Sequence, residues 1–509
     1  MRSTGAVTRP FRRCTWSRMF QAGLIAAMVG SSLGCNQANG QKEAPAAPVA
    51  ADNSAAALAF RSAVNGPPAG WTGSVFALSH DYPATAPAQC SQCGWLKVDP
   101  VFTPAFPQPG PRATPKSATE QGKWTTGKWD AYLAAILSYV REGQDPDLAD
   151  AVGFRSTVNG GTRWFNVPWM AYDPTVGREF VHGTTNERTA VLKDLVGSPG
   201  AHPAALGLGR LTGSCAERYP NGFETWAVGY YNEWGGAAIG GAIPGDGVPR
   251  VTNYAGAPIL SGLPFPEGTA VVKILTTNAP VDCVPYLAGS PEWQIDRHTV
   301  YTDGPKKGKY SCDRVTQTSR VVQVDVAVVD SRSPMRWVYG TFAYDGRVGG
   351  TTFWDRLVPV GIQFGADPWT FPAVPRAESI PAQQSVLNPG LMGTDRKLFE
   401  HFGCEGRLAG PVDNALSSCV SCHSSALVAP VGTPLTMGVN APMSYGFPGM
   451  CTQYSAYNAA YFSNIVPPQT FGGGQYPDSI SVDTSLQLEV AVGQYGQFKA
   501  AGAPVACPN

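Results

Sequence analysis

Residues 419–423 read Cys-Val-Ser-Cys-His, which places two thiols three positions apart and an imidazole directly after them. In a c-type haem site, two such cysteines form thioether bonds with the vinyl groups of the porphyrin. The histidine that follows then lies under the iron as its proximal ligand. The spacing therefore predicts that Cys419 and Cys422 tether one covalent haem c and that His423 ligates its iron.

Two other kinds of site compete for the same residues. A zinc site needs four ligands, and the other Cys-x-x-Cys pair, Cys90 and Cys93, lies far upstream with no histidine after it. A plain disulfide between Cys419 and Cys422 is the second alternative. For Cys90 and Cys93 a structural disulfide is favoured, with each other or with distant partners, over a redox-active dithiol.

The ligand on the opposite side of the iron is left open by the sequence. A methionine thioether there is typical of electron-carrying cytochromes. Met443 is the first candidate and Met450 the second, because both lie in the Pro- and Gly-rich segment 440–451, which can wrap a haem edge; Met437 is a third. His401 is the candidate for bis-histidine ligation, and an open coordination position is the remaining alternative.

The N-terminus predicts export from the cytoplasm. A basic segment at 1–18 precedes the apolar run 19–30, and small residues then lead to Cys35. This order is that of a secretory signal peptide, here residues 1–35 and of the lipoprotein type, with Cys35 as the lipidation site. Cleavage nearby without lipidation is the alternative. Residues 36–60 then form a flexible tether, and we expect the protein in the periplasm or at the outer membrane.

The composition limits the partners. Lys+Arg and Asp+Glu are equal at 37 each, so no overall charge directs the protein to nucleic acid, and membrane contact is expected only through the possible lipid anchor. Charged residues make up only 15% of the chain, beside 58 glycines and 45 prolines, which is typical of a loop-rich and strand-rich exported protein. Without Cys14, Cys35 and the two predicted haem cysteines, eight cysteines remain, a number compatible with disulfides.

Apolar periodicity predicts a mainly β fold. Residues 61–380 are expected to form an antiparallel, sandwich-like body, with one helix at 129–142 and strands at 269–277 and 320–330. Residues 381–509 are expected to form a smaller haem-binding domain of helices and loops. Two strand residues, Lys273 and Asp325, lie on the polar faces of their strands, where a solvated position or an internal ion pair is expected.

The helices predicted for the haem-binding domain lie on either side of the motif. A short helix at 395–403 precedes it, and an amphipathic helix at 485–502 closes the chain.

Eight stretches together resemble a family of exported bacterial cytochrome c family proteins over about residues 120–425. They are "RWFNVPWM" (163–170), "GREFVHG" (177–183), "ETWAVGYYN" (224–232), "FPEGTAVVK" (265–273), "YLAGSPEW" (286–293), "WVYGTFAYDG" (337–346), "RLVPVGIQFGADP" (356–368) and "GRLAGPVDNALSSCVSCH" (406–423). The resemblance implies one c-type haem carried on a large β-rich body of undefined role. It extends to the roles of Cys419, Cys422 and His423 and to no other residue.

The sequence thus predicts an exported monohaem cytochrome that binds haem and transfers electrons to or from an unknown redox partner protein. An electron carrier is favoured over an enzyme, and no catalytic residue is assigned. One alternative is a haem-dependent oxidoreductase whose β-rich domain binds a small molecule or a glycan, because a bare carrier does not need so large a body. The other is a docking module for a redox partner.

Overall fold

The computed structural model of the protein describes residues 78–100, 128–150, 152–170, 172–173, 177–178, 185–188, 214–219, 223–307, 310–333, 336–364, 385–388, 423, 426–428 and 479–501. The predicted signal peptide (1–35), the tether (36–60) and the helix at 395–403 lie outside these residues. Among the described helices, none combines the length and the apolar character that crossing a bilayer requires.

Strands dominate the described part of the chain, which confirms the prediction of a mainly β protein. In chain order the strands are β1 (Thr157–Val158), β2 (Gly161–Thr162), β3 (Tyr172–Asp173), β4 (Gly177–Arg178), β5 (Thr185–Arg188), β6 (Glu224–Tyr231), β7 (Val251–Tyr254), β8 (Ala257–Leu260), β9 (Ala270–Thr277), β10 (Glu292–Val300), β11 (Tyr310–Val329), β12 (Trp337–Tyr344), β13 (Leu357–Gln363), β14 (Ser385–Leu387), β15 (Leu427–Val428) and β16 (Ile480–Ser481). The helices are α1 (Lys128–Arg141), α2 (Ser214–Arg218), α3 (Glu233–Ala242) and α4 (Leu486–Ala501).

The main sheet has eight antiparallel strands. Its order is β14-β13-β12-β11-β9-β6-β5, and β10 pairs with the first half of β11. The predicted strands at 269–277 and 320–330 correspond to β9 and to the second half of β11. β11 begins ten residues earlier than the alternation predicted, because the hairpin with β10 supplies backbone partners to a segment that lacks an apolar face.

Apolar side chains cover both faces of this sheet. On one face, the predicted valine row of β11 (Val322, Val324, Val326 and Val328) is buried in the same cluster as Tyr132, Leu133, Ile136 and Tyr139 of α1. On the other face, Tyr231, Trp337 and Tyr339 pack in a second cluster with Leu488 and Val492 of α4. All eight residues of β12 are buried as a result. The helices predicted at 129–142 and 485–502 are confirmed as α1 and α4. The amphipathic pattern predicted for α4 is wrong, because polar and apolar residues are mixed around this helix and the charged Glu489 is buried.

A four-stranded sheet brings the end of the chain to the β-rich body. Its order is β15-β16-β8-β7, in which β15 pairs antiparallel with β16, and β16 runs parallel to β8. The described residues fall within one compact unit. The described C-terminal elements thus pair with strands of the predicted body, while the division at 380/381 remains a prediction.

Disulfides and one ion pair agree with the sequence expectations. Cys90 and Cys93 form a structural disulfide, as expected, and of the two arrangements left open they bond to each other; Cys215 bonds to Cys283. Lys273 and Asp325 lie opposite each other on β9 and β11, with Nζ 3.7 Å from Oδ2, and form the expected internal ion pair.

The contact between α1 and β12 leads to a stability prediction. A methyl group added at Gly340 would lie 2.8 Å from Leu133 Cδ2 and 3.2 Å from Val326 Cγ2. We expect Gly340→Ala to lower the free energy of unfolding by about 1–3 kcal/mol, because a packed core resists an extra methyl group. Gly349→Ala is the matched control, since no atom of the described residues lies within 4 Å of the added Cβ. Equal unfolding midpoints in urea for the two variants would contradict the packing described.

Candidate functional site around His423

His423 lies between β12 and the turn that precedes α4. Its Nδ1 is 2.8 Å from the carbonyl oxygen of Thr484, a residue 61 positions later in the chain. Its ring centroid is 4.6 Å from that of Tyr339, with the two planes tilted by 37°. Ala426 donates its N–H to the His423 carbonyl at 3.1 Å, and β15 begins one residue later. The histidine is thus held at both its ring and its backbone.

The hydrogen bond determines the tautomer of the imidazole. A carbonyl oxygen can only accept, so Nδ1 carries the proton and donates it. Burial, with a smaller effect from the positive charge of Lys273, lowers the pKa of His423 to about 4, although the hydrogen bond to Thr484 acts to raise it. At neutral pH the ring is therefore neutral, with its free lone pair on Nε2. Within the described residues no hydrogen bond involves Nε2.

A neutral imidazole with its Nδ1–H bonded to a carbonyl is typical of histidines that bind metals. A metal-bound imidazole usually donates its second ring N–H to a carbonyl or a carboxylate, which fixes the tautomer and the orientation of the ring. His423 has that donor bond already made, to Thr484. The imidazole therefore fits the predicted role of a proximal iron ligand.

The turn that presents the Thr484 carbonyl has an uncommon backbone conformation. Asp483 and Thr484 have φ angles of 44° and 66°, so two successive non-glycine residues lie in the left-handed region. Such a conformation costs roughly 1–2 kcal/mol per residue and persists only where surrounding contacts hold it. The side chains of residues 483–485 supply those contacts.

Asp483 connects the turn to the segment before β9. Its Oδ2 accepts the backbone N–H of Phe265 at 2.7 Å, and its Oδ1 lies 3.5 Å from Nη1 of Arg336. Arg336 also donates to the Phe265 carbonyl at 2.6 Å. Burial raises the pKa of Asp483 to about 6, although Arg336 and the Phe265 N–H both act to lower it. The buried carboxylate is thus partly compensated by a cation and a donor.

Thr484 and Ser485 connect the turn to the main sheet. The hydroxyl of Tyr339 donates to Thr484 Oγ1 at 3.0 Å, and the hydroxyls of Tyr231 and Ser485 lie 2.8 Å apart. Ser485 Oγ also accepts the N–H of Leu488 at 3.1 Å, which makes Ser485 the N-terminal cap of α4. The two tyrosines pack their rings in the core and use their polar ends to hold the turn.

The start of α4 lies directly against Gly229 of β6. A Cβ atom built there would overlap the Gln487 side chain, so glycine provides the space that this side chain occupies. Gly229 lies opposite Lys273 on the neighbouring strand β9. Asp325, the ion-pair partner of Lys273, accepts hydrogen bonds from Thr341 at 2.9 Å and from Gln323 at 2.6 Å. The Lys273–Asp325 ion pair and its hydrogen-bond donors therefore form a polar cluster on the same face of the sheet as Tyr339.

One other grouping of potential metal ligands occurs in the described part of the chain. The side chains of Cys215, Asp282 and Cys283 lie close together. The two sulfurs are bonded to each other, so neither is a thiolate that could bind a metal. The disulfide accounts for this cluster.

Of the predicted site residues, the structure describes His423. Those outside the described residues are Cys35, His401, Cys419, Cys422, Met437, Met443 and Met450. Sequence reasoning missed the partners of His423, namely Thr484, Tyr339 and the nearby Lys273. Ser485 before a helical pattern is a recognisable capping signal, but no sequence pattern indicates that the preceding carbonyl contacts a histidine 61 residues away.

Comparison of the chain with protein-family models, with curated proteins and with solved structures finds no match.

Glu489 is a buried acid on α4 with an unusual environment. It is 2% exposed, and neither carboxylate oxygen has a hydrogen-bond partner among the residues that the structure describes. Burial raises the pKa of Glu489 to about 8. At neutral pH the folded protein therefore holds this side chain mainly as the neutral acid.

This environment predicts a pH-dependent stability. Above the ordinary glutamate pKa of about 4.3 the unfolded chain has lost the proton, whereas the folded protein keeps it until about pH 8. The free energy of unfolding should therefore fall as pH rises through this range, by about 1.4 kcal/mol per pH unit. We expect Glu489→Gln to remove this contribution, as measured by urea unfolding between pH 6.5 and 8. In that window folded His423 is deprotonated and folded Asp483 is mostly so, and both groups are the same in wild type and variant. A difference between wild type and variant that stays constant with pH would contradict the buried acid.

Proposed function

We propose that the protein is an exported monohaem c-type cytochrome that passes single electrons. Cys419 and Cys422 tether haem c, and His423 ligates its iron through Nε2. The observation that carries the proposal is the neutral imidazole of His423, whose Nδ1–H is held by the Thr484 carbonyl. That bond leaves Nε2 as the ligand atom next to the Cys-x-x-Cys motif.

When bound, haem c supplies one-electron exchange between ferric and ferrous iron. The chain's own residues hold the ligand. The Thr484 carbonyl orients the imidazole, and the ring of Tyr339 packs against it. The pairing of β15 with β16 anchors the backbone after His423 to the strand that leads into the turn. A ligand held at fixed geometry favours electron transfer, because little rearrangement accompanies the change in charge.

The disulfides support an exported protein. Cys90–Cys93 and Cys215–Cys283 are bonded, and Cys312 is disulfide-bonded as well. Such bonds persist in oxidising compartments, where c-type haem is attached. We therefore place the protein in the periplasm or at the outer membrane, with residues 1–35 as its signal peptide and Cys35 as its lipid anchor. In this proposal a sandwich-like β body carries a haem domain of helices and loops at 381–509, and the donor or acceptor is a separate redox protein.

Covalent haem attachment is the first test. The protein, exported in cells that have a c-type maturation system, should retain haem stain after denaturing electrophoresis and show the α-band of reduced c-type haem. We expect the Cys419→Ser/Cys422→Ser double variant to lose both signals. The Cys90→Ser/Cys93→Ser double variant is the matched control, because it removes the Cys-x-x-Cys pair that has no adjacent histidine, and it should keep both. Wild-type protein without covalent haem would refute the proposal.

The second axial ligand can be identified by substitution. Met437→Ala, Met443→Ala, Met450→Ala and His401→Ala should leave haem attachment intact. We expect Met443→Ala to convert six-coordinate iron to a five-coordinate or water-ligated form, since loss of a thioether opens one position. Absorption and magnetic circular dichroism spectra distinguish these states. An unchanged spectrum in Met443→Ala together with a changed one in Met450→Ala would transfer the assignment to Met450. A five-coordinate wild-type spectrum would instead indicate an open iron.

A further inference from the structure

Lys273 and Asp325 form an ion pair on the same sheet face as the residue that contacts His423. Lys273 lies opposite Asp325, and Asp325 lies opposite Thr341 on β12. Tyr339 is two residues from Thr341, and side chains two apart in a strand point to the same face. The ring of Tyr339 in turn packs against His423. The pair is therefore a near neighbour of the proposed iron ligand across one face of the sheet.

Both charges lie within Coulomb range of the imidazole. Neighbouring strands are about 4.8 Å apart and residues two apart on a strand are about 6.7 Å apart, so the pair lies on the order of 10 Å from Tyr339, whose ring contacts His423. Positive charge added to the ligand, or to a metal bound to it, is therefore repelled by the ammonium group of Lys273 and attracted by the carboxylate of Asp325.

Both partners are held in place and partly shielded from solvent. The side chains are 28% and 26% exposed, which limits screening by salt. The Asp325 carboxylate accepts from Thr341 and Gln323, so its position is defined by two donors besides Lys273. All of these side chains are carried by the strands at the centre of the main sheet, β9, β11 and β12. The two opposite charges are thus built into a rigid element.

We propose that the Lys273–Asp325 pair sets the reduction potential of the iron ligated by His423, with Lys273 raising it and Asp325 lowering it. This inference rests on the proposed function. Reduction adds one electron, supplied by an external one-electron donor, and lowers the charge on the iron by one unit with no bond made or broken. A nearby cation favours the less positive ferrous state, and a nearby anion favours the ferric state.

The test compares midpoint potentials in four forms of the full-length haem protein: wild type, Lys273→Met, Asp325→Asn and the double variant. Spectroelectrochemical titration with small one-electron mediators gives each potential. We expect a lower value for Lys273→Met, a higher value for Asp325→Asn and an intermediate value for the double variant. Methionine keeps much of the length of lysine, and asparagine keeps the shape of aspartate, so each substitution mainly removes a charge.

The control is Lys306→Met, which removes the charge of an exposed lysine on the turn between β10 and β11. It should leave the potential unchanged, and the shift in Lys273→Met should persist at high salt because the pair is half-buried. Haem spectra recorded for each form report whether the axial ligands are retained.

The outcomes separate the two claims. Intact covalent haem with equal potentials in all forms overturns the role of the pair and leaves the cytochrome proposal standing. Shifts of the same sign in Lys273→Met and Asp325→Asn also overturn it, because opposite charges must act oppositely. Wild-type protein that carries no covalent haem overturns both.

Discussion

The hydrogen bond from His423 Nδ1 to the Thr484 carbonyl is the interaction on which the candidate site depends. It joins two segments of the chain 61 residues apart, and it selects the neutral tautomer whose lone pair is on Nε2. Without it, the imidazole next to the Cys-x-x-Cys motif would have neither a fixed proton nor a fixed orientation. The Thr484 carbonyl reaches the imidazole because Asp483 and Thr484 adopt left-handed backbone conformations, which are unfavourable in free energy for non-glycine residues.

The main sheet stabilises this turn. Both faces of the sheet are buried, and side chains from one face contact the turn. One face packs on α1, and the other meets α4 and the small sheet that contains β15 and β16. From the second face Tyr231 and Tyr339 extend hydroxyls to Ser485 and Thr484. A buried aromatic ring supplies packing area, and its polar end satisfies a neighbouring group that burial would otherwise leave unpaired.

Two buried acids near the start of α4, Asp483 and Glu489, have different pKa values because their surroundings differ. Asp483 has an arginine and a backbone N–H as partners, and its pKa rises only to about 6. The side chain of Glu489 has no hydrogen-bond partner in the described part of the chain, and burial raises its pKa to about 8. The difference follows from compensation, since a carboxylate that accepts a donor and faces a cation keeps its charge more readily than one that does not. Asp483 can therefore serve as an ionic link for the turn, whereas Glu489 is held as a neutral acid.

The sequence by itself determined the features that depend on local spacing. Helical periodicity predicted α1 and α4, and alternation predicted the valine row of β11. A structural disulfide was expected for Cys90 and Cys93, but the structure decided that they bond to each other. The adjacency of two cysteines and a histidine predicted a haem ligand at His423. These patterns can be recognised in the sequence because each arises from neighbours within a few residues.

The contacts that hold and orient the His423 imidazole were decided only by the tertiary structure. Thr484, Tyr339 and Lys273 belong to a C-terminal turn and to two separate strands, and strand order and register alone bring them to one place. Nothing in their own neighbourhoods carries that information, because long-range pairing follows from how the whole sheet buries its two faces.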